Sequence, residues 1–173
     1  MYLAMFRARR EESPKVGCVL PAQWETNKDF VPGRGEGVVL DLLAAGKKFG
    51  IKLPGSIREI LKEGRLREVK KLLLTIQEEK KRKSWISRYF YKEKEVSFLP
   101  PVLDPEKIIL VGKNYREHCE EGKAEVPQDP VIFAKFKNSL IGAGKPILLP
   151  RSSEQVDYEA ELAVVIGKRG KHI

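Results

Sequence analysis

The chain has 173 residues, of which 42% are hydrophobic and 33% charged, with a formal net charge of +9. That length holds one ordinary domain or two small ones, and the composition suits a globular protein and excludes a disordered one. No apolar run approaches the roughly 18 residues of a membrane-spanning helix, so no membrane association is expected.

The opening MYLAMFRARREE is too short in apolar residues for a signal-peptide core. Glu11 and Glu12 also argue against a transit peptide. Residues 2–7 and 15–20 read instead as a first hairpin. Residues 15–20 (KVGCVL) and 37–43 (GVVLDLL) are short Val- and Leu-rich runs bounded by Gly and Pro. Both predict strands, the second running into a helix near Asp41, with PAQWETNKDFVPGRGEG as the loop between them.

In LPGSIREILKEG, Ser56 is an N-cap, Glu59 completes a capping box, and Gly64 is a stop. The spacing of Leu66, Val69, Leu72, Leu73 and Ile76 predicts an amphipathic helix over 65–83. VSFLPPVLDPEK then reads as a proline-bearing connector. The chain thus divides into an N-terminal lead-in region (1–97), a linker (98–106) and a second region (107–173).

In the second region, KIILVG (107–112) and PVIFAKF (130–136) predict strands. NYREHCEEG predicts a turn and a short helix closed by Gly122, and PILLP (146–150) a short extended segment. EQVDYEAELAVVIG has the strongest strand pattern in the chain. Nothing repeats at a fixed period.

Two features bound the partners. Cys18 and Cys119 are isolated thiols without metal spacing, which suits a reducing compartment. Between Arg65 and Lys94, eleven Lys or Arg face four Glu. Such a surplus marks either a solvated helix face or a nucleic-acid patch. The stretch matches no recognised nucleic-acid module, its aromatics being Trp85, Tyr89, Phe90 and Tyr91, so no nucleic-acid partner is expected.

Two constellations could carry chemistry. Along a strand, Glu159 and Glu161 point the same way, about 7 Å apart at the backbone. Both can lean onto one Mg²⁺, Mn²⁺ or Ca²⁺ ion, which relieves the repulsion of neighbouring carboxylates. The same residues would equally suit a wet sheet face paired with lysines. His118 and Glu121 fall on one face of a short helix, where a carboxylate can orient an imidazole for general-base work. Surface His and Glu also meet this way by chance.

Taken in order, KIILVGKNYREHCEE, DPVIFAKFKNSLIGAGKPILLP and VDYEAELAVVIGKRGKHI resemble the fumarylacetoacetate hydrolase family. The likeness is continuous from about residue 105 onward. The FRA strand and LPGSIREILKEG resemble the lead-in region of the family's bacterial and mitochondrial branch. The resemblance implies an α+β protein whose second region begins a mixed β-roll, with Mg²⁺ or Mn²⁺ as cofactor. It makes Glu159 and Glu161 metal ligands, His118 and Glu121 the catalytic dyad, and Lys135 a substrate-pocket residue.

The implied substrate is a small 2-oxo acid, processed through a metal-steadied enolate, and the family's products leave three outcomes open: C–C hydrolysis, keto–enol tautomerisation or decarboxylation. The compartment implied is mitochondrial or cytoplasmic, and the implied assembly a homodimer. In the family a third metal carboxylate comes from strands downstream of Ile173. The chain is therefore expected to be a truncated form, with a β-roll incomplete at its C-terminus, and inactive alone. A non-catalytic remnant that associates with full-length relatives is the rival expectation.

Overall fold

The computed structural model describes residues 1–9, 11–22, 32, 35–80, 84–167 and 169–172. Most of the expected 21–37 loop, residues 81–83 of the expected helix and Ile173 lie outside this set. The chain forms two compact units, Met1–Val102 with Gly142–Ile173, and Leu103–Ile141. All strand pairing among the described residues is antiparallel. The protein is α+β.

The first unit is built on a hairpin of β1 (Tyr2–Ala8) and β2 (Lys15–Pro21), paired from Tyr2↔Val19 to Phe6↔Lys15. β3 (Gly37–Asp41) adds to β2, β4 (Phe90–Lys92) to β3, and β5 (Val96–Leu99) to β1. The sheet order is β4-β3-β2-β1-β5. The first residues of the expected connector are thus a strand: Val96 and Phe98 alternate as a pleat requires, and pairing stops before Pro100 and Pro101.

Alternation divides the sheet into two faces. Met5, Val16, Cys18, Leu20 and Leu40 point to one side, where they pack with residues of three helices. Phe6, Ala8, Val19 and Val39 point to the other and form a smaller cluster with Tyr91 and Phe98. Gly17 is where the two strands' neighbours come closest: a methyl group there would sit 2.7 Å from the Phe6 ring and 2.8 Å from the Leu40 carbonyl oxygen.

The helices are α1 (Leu42–Lys48), α2 (Ile57–Lys62) and α3 (Leu66–Lys80). α1 continues directly from β3, with Asp41 as its N-cap. At α2 the Ser56 hydroxyl accepts from the Glu59 amide at 3.2 Å and donates to its carboxylate at 3.0 Å. Gly64 closes the turn at φ +65°, a conformation that favours glycine. α3 buries Val69, Leu72 and Ile76 against the sheet, with Leu66 and Leu73 beside them. Each fully buried aliphatic side chain stabilises the fold by roughly 1.5–3 kcal/mol. Arg67, Lys70 and Lys71 face solvent, whereas Tyr89 and Phe90 pack into the core.

One charged group is held at the sheet's edge of burial. Lys15 Nζ donates to Asp41 Oδ2 (3.0 Å) and the Tyr91 hydroxyl (3.0 Å), and pairs with Glu11 Oε2 (2.8 Å). The buried Glu93 carboxylate accepts from the Gly37 amide at 2.8 Å.

The second unit holds β6 (Ile108–Gly112), α4 (Arg116–Glu121) and β7 (Val131–Lys135). β6 and β7 pair from Ile108↔Lys135 to Gly112↔Val131.

Candidate functional site

α4 follows β6 through Lys113, which stands at φ +54°, uncommon for a residue with a side chain. Lys123 takes a similar φ of 50° just beyond the helix. Between them, Cys119 anchors the helix. Its thiol is 1% exposed and lies 3.6 Å from the Lys113 carbonyl oxygen. Its carbonyl accepts from the Ala124 amide at 2.8 Å, and the Gly122 amide donates to the His118 carbonyl at 3.1 Å. The buried Cys119 leaves its neighbour His118 facing outward.

His118 and Glu121 are both exposed on α4, three residues apart, as the spacing predicts. Among the described residues no hydrogen bond joins their side chains. Lys135 is the last residue of β7, exposed and opposite Ile108. These three residues share the second unit.

Glu159 and Glu161 belong to the first unit's C-terminal stretch, and here the expected strand is not formed. Residues 155–167 have no regular secondary structure and are exposed throughout. The alternating pattern of VDYEAELAVVIG is real, but a strand exists only through hydrogen bonds to a neighbour, and neither sheet includes this segment. Residues 146–150 likewise join neither sheet.

The donors fit a hard divalent cation in kind, because Glu159 and Glu161 offer only carboxylate oxygens. In number they are a partial set. Among the described residues no group of three or more His, Cys, Asp or Glu side chains could hold a metal ion.

Sequence reasoning passed over Lys113, whose left-handed backbone sets the entry to α4. No residue-type signal marks it, since glycine or asparagine is the usual occupant of such a conformation. It also passed over the Lys15–Asp41 pair, whose members are 26 residues apart in the chain.

Residues 107–173 match the family described as Fumarylacetoacetate (FAA) hydrolase C-terminal. This region is similar to the fumarylacetoacetate hydrolase family. Mitochondrial oxaloacetate tautomerase FAHD2A of Homo sapiens is 53% identical over 79 residues, covering 46% of this chain and 25% of that protein. Mitochondrial oxaloacetate tautomerase fahd2 of Xenopus laevis is 36% identical over 175 residues, which is 100% of this chain and 46% of the relative. A fumarylacetoacetate hydrolase domain-containing protein 2 homolog of Dictyostelium discoideum is 46% identical over 71 residues, covering 41% of this chain and 23% of that protein. The chain spans less than half the length of these relatives.

Proposed function

We propose that this chain carries the acid–base and first metal-ligating residues of an enzyme acting on small 2-oxo acids, with oxaloacetate keto–enol tautomerisation as the reaction. The observation that carries this reading is the similarity to proteins named oxaloacetate tautomerases, which extends over the whole chain in the Xenopus laevis relative. It is joined by the outward presentation of His118 and Glu121 on a helix fixed by Cys119. Residues 107–173 are proposed as the start of a family β-roll, and 1–97 as a lead-in region. The mitochondrial names of the relatives support a mitochondrial location.

In this reading His118 takes a proton from the carbon next to the keto group and returns it at the enol oxygen, or the reverse. Glu121, on the same face of the helix, is the group that would orient the imidazole. The Lys135 ammonium binds a substrate carboxylate. Glu159 and Glu161 would hold Mg²⁺ or Mn²⁺, and the ion would supply Lewis-acid polarisation of the keto group. General-base assistance of this kind contributes about 10²–10⁴ in rate. Tautomerisation needs only a proton relay, whereas hydrolysis of an acylpyruvate also needs a positioned water.

Two carboxylates hold a hard cation weakly, which is why the chain is expected to be inactive alone; slow turnover is expected with the ion in large excess. The test follows the enol absorbance of oxaloacetate with excess Mn²⁺. Acceleration that falls at least about tenfold in His118→Ala supports the proposal. No acceleration by the wild-type chain favours the second reading, a non-catalytic chain that associates with full-length relatives.

A further inference from the structure

We propose that the outward face of α3 is a docking surface for an anionic lipid bilayer, built from Arg67, Lys70, Lys71 and Leu74. Val69, Leu72 and Ile76 turn the opposite side of the helix to the core and are fully buried. The helical repeat groups Arg67, Lys70, Lys71 and Leu74 away from them, and all four are exposed. From Leu66 to Leu74 the single acid is Glu68, and Arg65 Nε holds it at 3.0 Å. Among the described residues no ion pair involves Arg67, Lys70 or Lys71. Three uncompensated positive charges therefore sit side by side. Arg67 and Lys71 are four residues apart, a spacing at which like charges weaken a helix. Glu78, one turn beyond Leu74, bounds the basic stretch and is also exposed.

A bilayer rich in anionic headgroups presents negative charge over a flat area, so it compensates all three cations at once. Leu74 adds an apolar contact. It is 62% exposed and lies one turn on from Lys70 and Lys71, so it can enter the headgroup boundary while the cations stay among the phosphates. A nucleic-acid backbone would match the charges but offers nothing to Leu74, and α3 has no aromatic residue to stack on a base.

Attachment of this kind lies on the bilayer surface and needs no spanning segment. Among the described residues no helix is long and apolar enough to cross a membrane. None of the four residues takes part in the reaction proposed above.

Co-sedimentation of the 173-residue chain with phosphatidylcholine–phosphatidylglycerol vesicles at low salt tests the proposal, with phosphatidylcholine vesicles and a duplex RNA run in parallel. The wild type is expected to bind the mixed vesicles, to leave them as salt rises, and to ignore phosphatidylcholine alone. Each cation contributes about fivefold, so Arg67→Gln/Lys70→Gln/Lys71→Gln should weaken binding about a hundredfold. Lys145→Gln/Arg151→Gln/Lys171→Gln removes the same charge from exposed positions elsewhere and should bind nearly as the wild type does. Leu74→Ala should weaken binding about fivefold. Unchanged far-ultraviolet circular dichroism in all three variants separates these losses from a folding defect. A wild type that stays in solution overturns the proposal. So do equal losses in the two triple variants, indifference to Leu74→Ala, or binding to the RNA in place of the vesicles.

Discussion

Asp41 serves two partners at once: Oδ2 accepts from Lys15 Nζ at 3.0 Å, and Oδ1 accepts from the Ala44 amide at 2.9 Å. The residue that ends β3 therefore both starts α1 and neutralises a cation brought in by β2. Loss of the cap costs about 1 kcal/mol. Leaving the half-buried ammonium short of a partner costs about 1–3 kcal/mol more. Asp41→Ala should therefore lower the stability of the first unit by about 2–4 kcal/mol, read from urea denaturation. Asp41→Asn keeps a capping oxygen and should lose less.

The pH dependence of this pair has a definite sign. Burial disfavours the Lys15 ammonium, but hydrogen bonds from it to Glu11, Tyr91 and Asp41 outweigh that and lift its pKa above the ordinary lysine range. A raised folded-state pKa means the contribution is fully present below the unfolded lysine value and is lost only as pH climbs through the folded one. The stability difference between wild type and Lys15→Met should stay constant from neutral to mildly alkaline pH. It should shrink only at strongly alkaline pH. A difference that disappears below pH neutrality would locate the effect in another group.

Gly17 has no room for a side chain. A methyl group would approach Phe6, the Leu40 carbonyl oxygen and Val39 all within 2.9 Å. Two of those neighbours are core side chains and the third is backbone, so relief requires moving the sheet. Gly17→Ala should destabilise the first unit by about 1–3 kcal/mol, measured by thermal or urea unfolding.

Cys18 is buried within the sheet, and burial pushes its thiol up to about 11. The thiolate is the reactive form, so the native thiol should label with a disulfide reagent no faster than the first unit opens. Denaturation should release both Cys18 and Cys119. Fast labelling of Cys18 in the native protein would place it nearer the surface than the fold does.

Much of the first unit was legible because its signals are local. The Ser56–Glu59 capping box, the spacing of Val69, Leu72 and Ile76, and the run of β3 into α1 at Asp41 each depend on residues within a few positions. The same holds for α4 and its stop at Gly122. What alternation could not decide is pairing. VDYEAELAVVIG has the pattern of a strand yet joins no sheet, whereas VSFL, read as connector, pairs with β1 through Phe6↔Phe98. A pleat needs a neighbour, and a one-dimensional pattern does not name it. For the candidate site, the spacing correctly puts His118 and Glu121 on one short helix. It carries no information on the Lys113 backbone or on how many carboxylates a cation would find.

The central claim is that Glu159 and Glu161 exist to hold a divalent cation, and Mn²⁺ binding followed by electron paramagnetic resonance of the free ion tests it most directly. The account predicts weak binding of one Mn²⁺ per chain, lost in Glu159→Ala/Glu161→Ala while the far-ultraviolet circular dichroism is unchanged. Equal Mn²⁺ binding by the wild type and that double variant would contradict it.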